Sequence, residues 1–386
     1  MKPFIALTLA MSLPVIATAQ TASQKDIEAI LEQQQKQIEA LQKQLKQTQT
    51  QIEMTADAID EASSNQSASS GSSKTHIGGY GELHYNNIEN AEKIDFHRFV
   101  LFIDHEFSSD IRFVSELELE HSLAGDGKPG EVELEQAYIE MDLSDTSSFK
   151  AGLFLMPIGI LNETHEPNTF YGVERNPVEG NIIPTTWWEA GVGYTTRFAE
   201  GWSADFSIHS GLNVDPAVYS IRGGRQKVAN ANADSLAYTA RLKYTAIPGL
   251  EIAASYQIQD DLTQGLSDAS ADLFSAHLVY NTGNFTIRTL YANWNIDGTE
   301  AELLGKDEQN GYYIEPSYKL NDKWGVFARL SQWDNSAGNA VDTENEQTNI
   351  GFNYWPHANV VFKADYEEHD DAAGTSGFNL GVGYQF

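Results

Sequence analysis

Phe378-Asn379-Leu380-Gly381-Val382-Gly383-Tyr384-Gln385-Phe386 closes the chain. Apolar and aromatic side chains take every second position, and Asn, Gly and Gln fill the rest. Successive side chains of an extended strand point to opposite faces, so this stretch has one greasy and one small polar face. A soluble sandwich would turn the greasy face inward. A membrane barrel turns it toward lipid and surrounds water with the other. One strand does not separate these cases; a series of them does.

The same period recurs upstream. Trp202, Ala204, Phe206 and Ile208 alternate with Ser203, Asp205, Ser207 and His209. Leu250, Ile252, Ala254, Tyr256 and Ile258 alternate with Glu251, Ser255, Gln257 and Gln259. Val360, Phe362, Ala364 and Tyr366 alternate with Val361, Lys363, Asp365 and Glu367. About sixteen such segments follow His76, each near the roughly nine to eleven residues of a tilted membrane strand. Connections alternate in length. Short turns near Ser108-Ser109, Asp145-Thr146, Glu200-Gly201, Thr282-Gly283 and Asn321-Asp322 are separated by longer loops, including 157–186 and 213–234. Short turns on one side and long loops on the other are an outer-membrane pattern. Trp187, Trp188, Trp202, Trp324, Trp355 and Tyr384, near segment ends, suit interfacial girdles. The expectation is an all-β domain over 76–386, a 16-stranded antiparallel transmembrane β-barrel preceded by an α-helical coiled-coil segment.

Composition agrees. The 386 residues hold 24 Lys+Arg against 55 Asp+Glu, a net charge of -31, and no cysteine. So acidic a chain has no footprint for nucleic acid. Without Cys it has no disulfide, thiolate metal site or Cys nucleophile.

Residues 1–19 read as a signal peptide: Lys2, an apolar run from Phe4, and Ala17-Thr18-Ala19 before Gln20. No later run of eighteen apolar residues occurs, so any membrane insertion must be as a closed barrel. Over 24–60 the apolar positions fall on a heptad, with Leu31, Ile38, Leu45, Ile52 and Ile59 in one seam. Ile27, Gln34, Leu41, Thr48 and Thr55 form the other. That repeat predicts a left-handed coiled coil, dimeric or trimeric, about 54 Å long. A Ser-rich linker, 61–75, follows.

Three segments carry a family likeness. His76 to Tyr85 (HIGGYGELHY), Phe149 to Pro157 (FKAGLFLMP) and the terminal Phe386 resemble outer-membrane porins of the phosphate-selective porin O/P type. The heptads resemble the periplasmic N-terminal coiled coil of dicarboxylate-transporting trimeric porins. The resemblance implies the outer membrane of a Gram-negative bacterium, sixteen strands and a homotrimer. It also implies contact with outer-membrane lipid and lipopolysaccharide, and a long loop folded into the lumen. The matching loop is 157–186. Peptidoglycan is a candidate partner for the coiled coil.

Parity of the strands assigns an inward basic set: Arg98, Arg112, Lys150, Arg197, Arg241, Lys243, Arg288, Lys319, Arg329 and Lys363. Glu116, Glu118 and Glu140 lead the inward acids, which also include Asp104, Asp205, Asp365 and Glu367. The two sets are close to balance. Acids gather near Glu116–Asp142 and bases from Arg197 to Lys363, which predicts a field across the pore. The constriction loop carries Glu163, Glu166, Glu174 and Glu179 against Arg175. A phosphate filter needs clustered bases, so the loop departs from that pattern. The expected function is a water-filled, weakly selective diffusion channel for small hydrophilic solutes. The alternatives are an anion or dicarboxylate channel using Arg241, Lys243, Arg288 and Arg329, or a structural barrel tethering the outer membrane to the cell wall. No Ser/His/Asp arrangement identifies an enzyme, and no cofactor is implied. His76, His84, His97, His105 and His121 show no metal-ligand spacing, and Asp365–Asp371 reads as a solvated loop.

Overall fold

A computed structural model describes residues 35–36, 74–89, 91–370 and 375–386. The signal peptide, the linker up to residue 73 and the coiled coil lie outside the described residues, except that Gln35 and Lys36 are helical.

Sixteen strands follow among the described residues: β1 (Thr75–Ile88), β2 (Ala91–Glu106), β3 (Ile111–Glu120), β4 (Val132–Ser144), β5 (Ser147–Leu155), β6 (Trp188–Ala199), β7 (Trp202–His209) and β8 (Ala237–Tyr244). Then come β9 (Leu250–Gln259), β10 (Ser270–Thr282), β11 (Phe285–Asp297), β12 (Glu308–Asn321), β13 (Trp324–Asp334), β14 (Asn345–His357), β15 (Val360–His369) and β16 (Ser376–Gln385). Each pairs antiparallel with its neighbours, and β1 pairs with β16, from Tyr80↔Gln385 to Ile88↔Gly377, so the sheet closes. Closure removes every edge, which hydrocarbon demands of a sheet. At one end the connections are short: 107–110, 145–146, 200–201, 245–249, 283–284, 322–323 and 358–359. At the other they are long, except for 89–90 between β1 and β2.

The outer face is apolar. Phe206, Leu242, Ile252, Phe362, Tyr366 and Leu380 are all exposed there. A Lys or Arg on such a face at mid-bilayer costs ~2–4 kcal/mol. Aromatic rings gather at the short-turn end, with Trp202 on Tyr244 at 4.8 Å and Trp324 on Tyr354 at 4.5 Å. Three expected members of this girdle are elsewhere. Trp187 and Trp188 are buried, Trp187 against Trp294 at 6.3 Å. Their segment turns into the barrel, so a position near a strand end did not mean the interface. Trp355 packs on Tyr171 of that same segment.

Two of the bulges reset parity along the charged face. Glu82 pairs with Arg98 but His84 with Asp95, so Phe96 and His97 of β2 together oppose Leu83, one residue more than regular pairing takes. Glu116 pairs with Gln136 but Leu117 with Leu134, so Glu135 is extra in β4. Parity counted from Glu140 points Glu133 and Glu135 outward. Instead Val132 and Leu134 are exposed and both glutamates are buried. The run Asp365–Asp371 is corrected too. Asp365 and Glu367 lie buried on β15, and Asp371 is outside the described residues.

Candidate functional site

The connection 156–187 holds the key to the lumen. Asn162 clamps its two ends: the side-chain amide donates to the Met156 and Trp187 carbonyls, both at 2.8 Å, and its oxygen accepts from Trp187 N at 2.7 Å. Within the segment, Asn176-Pro177-Val178-Glu179 starts a short helix, with Asn176 accepting from Glu179 N at 2.9 Å. The Glu179 carboxylate accepts from Ile160 N, Leu161 N and Tyr313 Oη at 2.6, 2.7 and 3.1 Å. It staples the loop to itself and to β12.

Further contacts carry the segment across the barrel. Ser255 donates to the Pro157 carbonyl at 2.8 Å, and Arg288 to the Thr169 carbonyl at 2.7 Å. Val173 N donates to Asp365 at 2.7 Å, and Arg329 to the Glu174 carbonyl at 3.3 Å. Glu174 pairs with His84 at 3.0 Å. The glycines of the inward face make room for it. A Cβ on Gly383 would sit 2.3 Å from Pro167 Cβ, and one on Gly325 only 2.1 Å from Tyr171 Oη.

The strands and loops divide the lumen into two halves. On the β9–β12 side the inward residues Ala271, Leu273, Leu290, Ala292, Trp294 and Ile296 are buried under Ile158, Val178, Ile182, Leu212 and Leu262 of the long loops. On the β1–β4 side the inward residues are charged. Arg98 pairs with Glu82 at 2.8 Å and Glu118 at 3.5 Å. His165 of the crossing segment is buried between Glu116 at 3.3 Å and Glu135 at 3.4 Å. Burial opposes its charge, but the bonds and charges of the two glutamates win, and the imidazole is pushed up to about 10. Lys227 of loop 210–236 pairs with Glu131 at 2.6 Å and with Glu133.

The expected pore-lining residues fall into three groups. Arg98, Glu116 and Glu118 join the charged half. Arg112, Glu140, Arg197, Arg241 and Lys243 sit toward the short turns. There Arg112 pairs with Glu140 and Asp142, each at 2.8 Å, and Arg241 with Asp205 at 2.8 Å and with Glu163 of the loop. Arg112, Arg197, Arg241 and Lys243 border a cavity of about 730 Å³. A second, of about 590 Å³, meets Arg288, Lys319 and Trp355. Third, Arg329 is buried against Glu315 at 3.3 Å, Lys363 lies 3.5 Å from the Phe170 ring centre, and Lys150 4.4 Å from that of Phe154. Of the constriction-loop residues, Glu163 and Glu174 are paired and Glu179 is an internal staple. Glu166 accepts from Thr169 through its carbonyl at 2.7 Å. Arg175 donates to Thr186 Oγ1 at 2.8 Å while its Nε and Nη2 stay buried and unpartnered.

Arg222 and Arg225 were missed in the sequence. They converge on the same place as Arg175, donating to the Thr185 carbonyl at 2.6 Å and the Thr186 carbonyl at 2.5 Å. Burial lowers the Arg225 pKa, while Glu133, Glu120 and Glu135 nearby oppose that. A long loop gives no parity, so nothing in the sequence placed them in the lumen. Glu133 and Glu135 did leave a signal, the alternation Glu131-Val132-Glu133-Leu134-Glu135.

A closed sixteen-stranded barrel with a greasy exterior and an inward-folded loop defines an outer-membrane diffusion channel. The chain belongs to the Gram-negative porin family, whose model matches residues 62–375. An uncharacterized protein of Aquifex aeolicus (strain VF5) is 31% identical over 330 residues, 76% of this chain and 75% of that one. The anion-selective porin from Comamonas acidovorans shares the fold at a TM-score of 0.59 with 14% identity, covering 81% of this chain and 99% of that chain. Salmonella typhi OmpF, in a complex with daunomycin, gives 0.59 with 12% identity, covering 81% and 97%. Family and fold point to a channel rather than an enzyme.

Proposed function

We propose a weakly selective, water-filled path for small hydrophilic solutes, narrowed by the 156–187 segment. One observation carries this reading: charges at the narrowing are matched. Glu82, Glu116, Glu118, Glu120, Glu131, Glu133 and Glu135 stand against Arg98, His165, Arg175, Arg222, Arg225 and Lys227, seven acids against six bases. Such an arrangement polarises water with little net charge, so it favours neither ion strongly. Bilayer recordings in asymmetric KCl should give a reversal potential near zero. A strongly anionic reversal potential with micromolar phosphate block would overturn the reading.

Arg175, Arg222 and Arg225 favour a second reading, an anion or dicarboxylate path. They bond uncharged oxygens, whereas Arg241 and Arg329, two members of the track expected from the sequence, are held by carboxylates. Arg222→Gln with Arg225→Gln should then slow succinate in liposome swelling and leave glycine unchanged.

The wider proposal follows the sequence. Residues 1–19 direct export, and 24–60 form a periplasmic coiled coil that pre-assembles homotrimers of an O/P-type porin amid lipid and lipopolysaccharide. Contact of that coil with peptidoglycan would add a tethering role. Chemical cross-linking of the full chain and of a 24–60 deletion tests this: trimers should weaken in the deletion.

A further inference from the structure

Among the described residues, three groups of side chains converge closely enough to share a cation: Glu116, Glu135 and His165; Glu120, Glu131 and Glu133; and Asp95, His97 and His121. The first is closed and bridged by its own imidazole. The second is filled by the Lys227 ammonium. The third has no Lys or Arg within it, and its side chains are 28–34% exposed.

Its geometry suits a metal. Asp95 Oδ2 lies 2.7 Å from His121 Nδ1 and 3.3 Å from His97 Nδ1, and the three ligand atoms fall within 4.8 Å of one another. Ligands about 2.0–2.1 Å from a tetrahedral ion stand roughly 3.3 Å apart. An ion replacing the shared protons would keep the Asp95–His97 spacing, open Asp95 Oδ2 from His121 Nδ1 by about 0.6 Å, and set the two imidazole nitrogens, already within 4.8 Å, about 3.3 Å apart. Two backbone irregularities aim the ligands. The β2 bulge at 96–97 brings His97 beside Asp95. His121 leaves β3 with φ 51, and its N–H donates to the His97 carbonyl at 3.1 Å. His84 stacks on His97 at 4.6 Å and is itself held by Glu82 and Glu174, which fixes the ring plane from behind. Arg98, next in sequence, is engaged by Glu82 and Glu118 and does not compete.

We propose that Asp95, His97 and His121 bind a divalent transition-metal ion at the long-loop end of the lumen. Two imidazoles and one carboxylate select Zn²⁺, Cu²⁺ or Ni²⁺ over Mg²⁺ and Ca²⁺. The partial exposure leaves a coordination position for water or for a group carried by the ion.

The test uses full-length protein in detergent without a histidine tag. Co²⁺ should bind one per chain with the visible bands of a nitrogen–oxygen site, and Zn²⁺ should displace it. His121→Asn is the chosen variant because Asn readily adopts positive φ. It and Asp95→Asn should each weaken Zn²⁺ binding about tenfold or more, while heat-modifiable gel migration shows that the barrel is intact. Absence of Co²⁺ binding to the wild type, or equal affinity in both intact variants, overturns the proposal. Neither readout depends on conductance.

Discussion

The two halves of the lumen teach opposite lessons about one pattern. Along β3 and β4 the inward face is acidic and its charges are met by Arg98, His165 and Lys227. Along the long-loop ends of β10 and β11 the inward face is Leu273, Leu290, Ala292 and Trp294, buried beneath folded loops, while Arg288 of β11 borders a cavity nearer the short turns. The outward positions there change as well: Asn295 Nδ2 bonds Asp272 Oδ2 at 2.8 Å on the exterior. Near the long loops of this half, the usual membrane-barrel pattern of greasy outside and wet inside is inverted. The loops fill the mouth there like a small soluble core, and the proposed water path runs along the charged half.

The largest expected effect lies in the dry half. Trp294 is fully buried and donates to the Ile182 carbonyl at 2.9 Å. Trp294→Ala should cost ~3–5 kcal/mol and lower the temperature at which the barrel unfolds on gels. An unchanged temperature would mean the loops do not form a core there.

The charged half should respond to pH. His165 is raised from an ordinary 6.5 to about 10 in the folded protein. Its contribution is therefore complete below about pH 6.5 and is lost as pH climbs through about 10. Open-channel noise should rise across that window as the segment loosens, and His165→Gln should be noisy at every pH. A flat response in the wild type would detach His165 from the restraint of the loop.

Gly383→Val should act through size alone. The new side chain meets Pro167, at a cost of ~1–3 kcal/mol, and should shift conductance by displacing the crossing segment. The smallest effect should come from Lys243→Gln at the border of the turn-side cavity. Stability should move by less than ~0.5 kcal/mol, with only a slight fall in anion permeability.

How much of this was legible follows the same division. Where lipid selects the outer face, the alternation at Phe378–Phe386 or Leu250–Gln259 read directly, because a one-residue slip would put charge in hydrocarbon. Around Asp95–Phe107 the alternation breaks because β2 holds a bulge, and around 271–281 it does not separate the faces because loops make the inside as apolar as the outside. The small inward face of β16 was visible, but its cause, Pro167 and Val173 lying against Gly383 and Gly381, was not. Arg222, Arg225 and His165 owe their places to loop folding, which no period encodes.

The absence of native cysteine permits a direct test of where water runs. Glu120→Cys on the charged side and Ala292→Cys on the dry side can each be treated with a charged thiol reagent during single-channel recording. Reagent should cut the current through Glu120→Cys channels and leave Ala292→Cys channels untouched. Modification of Ala292→Cys with Glu120→Cys silent would contradict the division of the lumen.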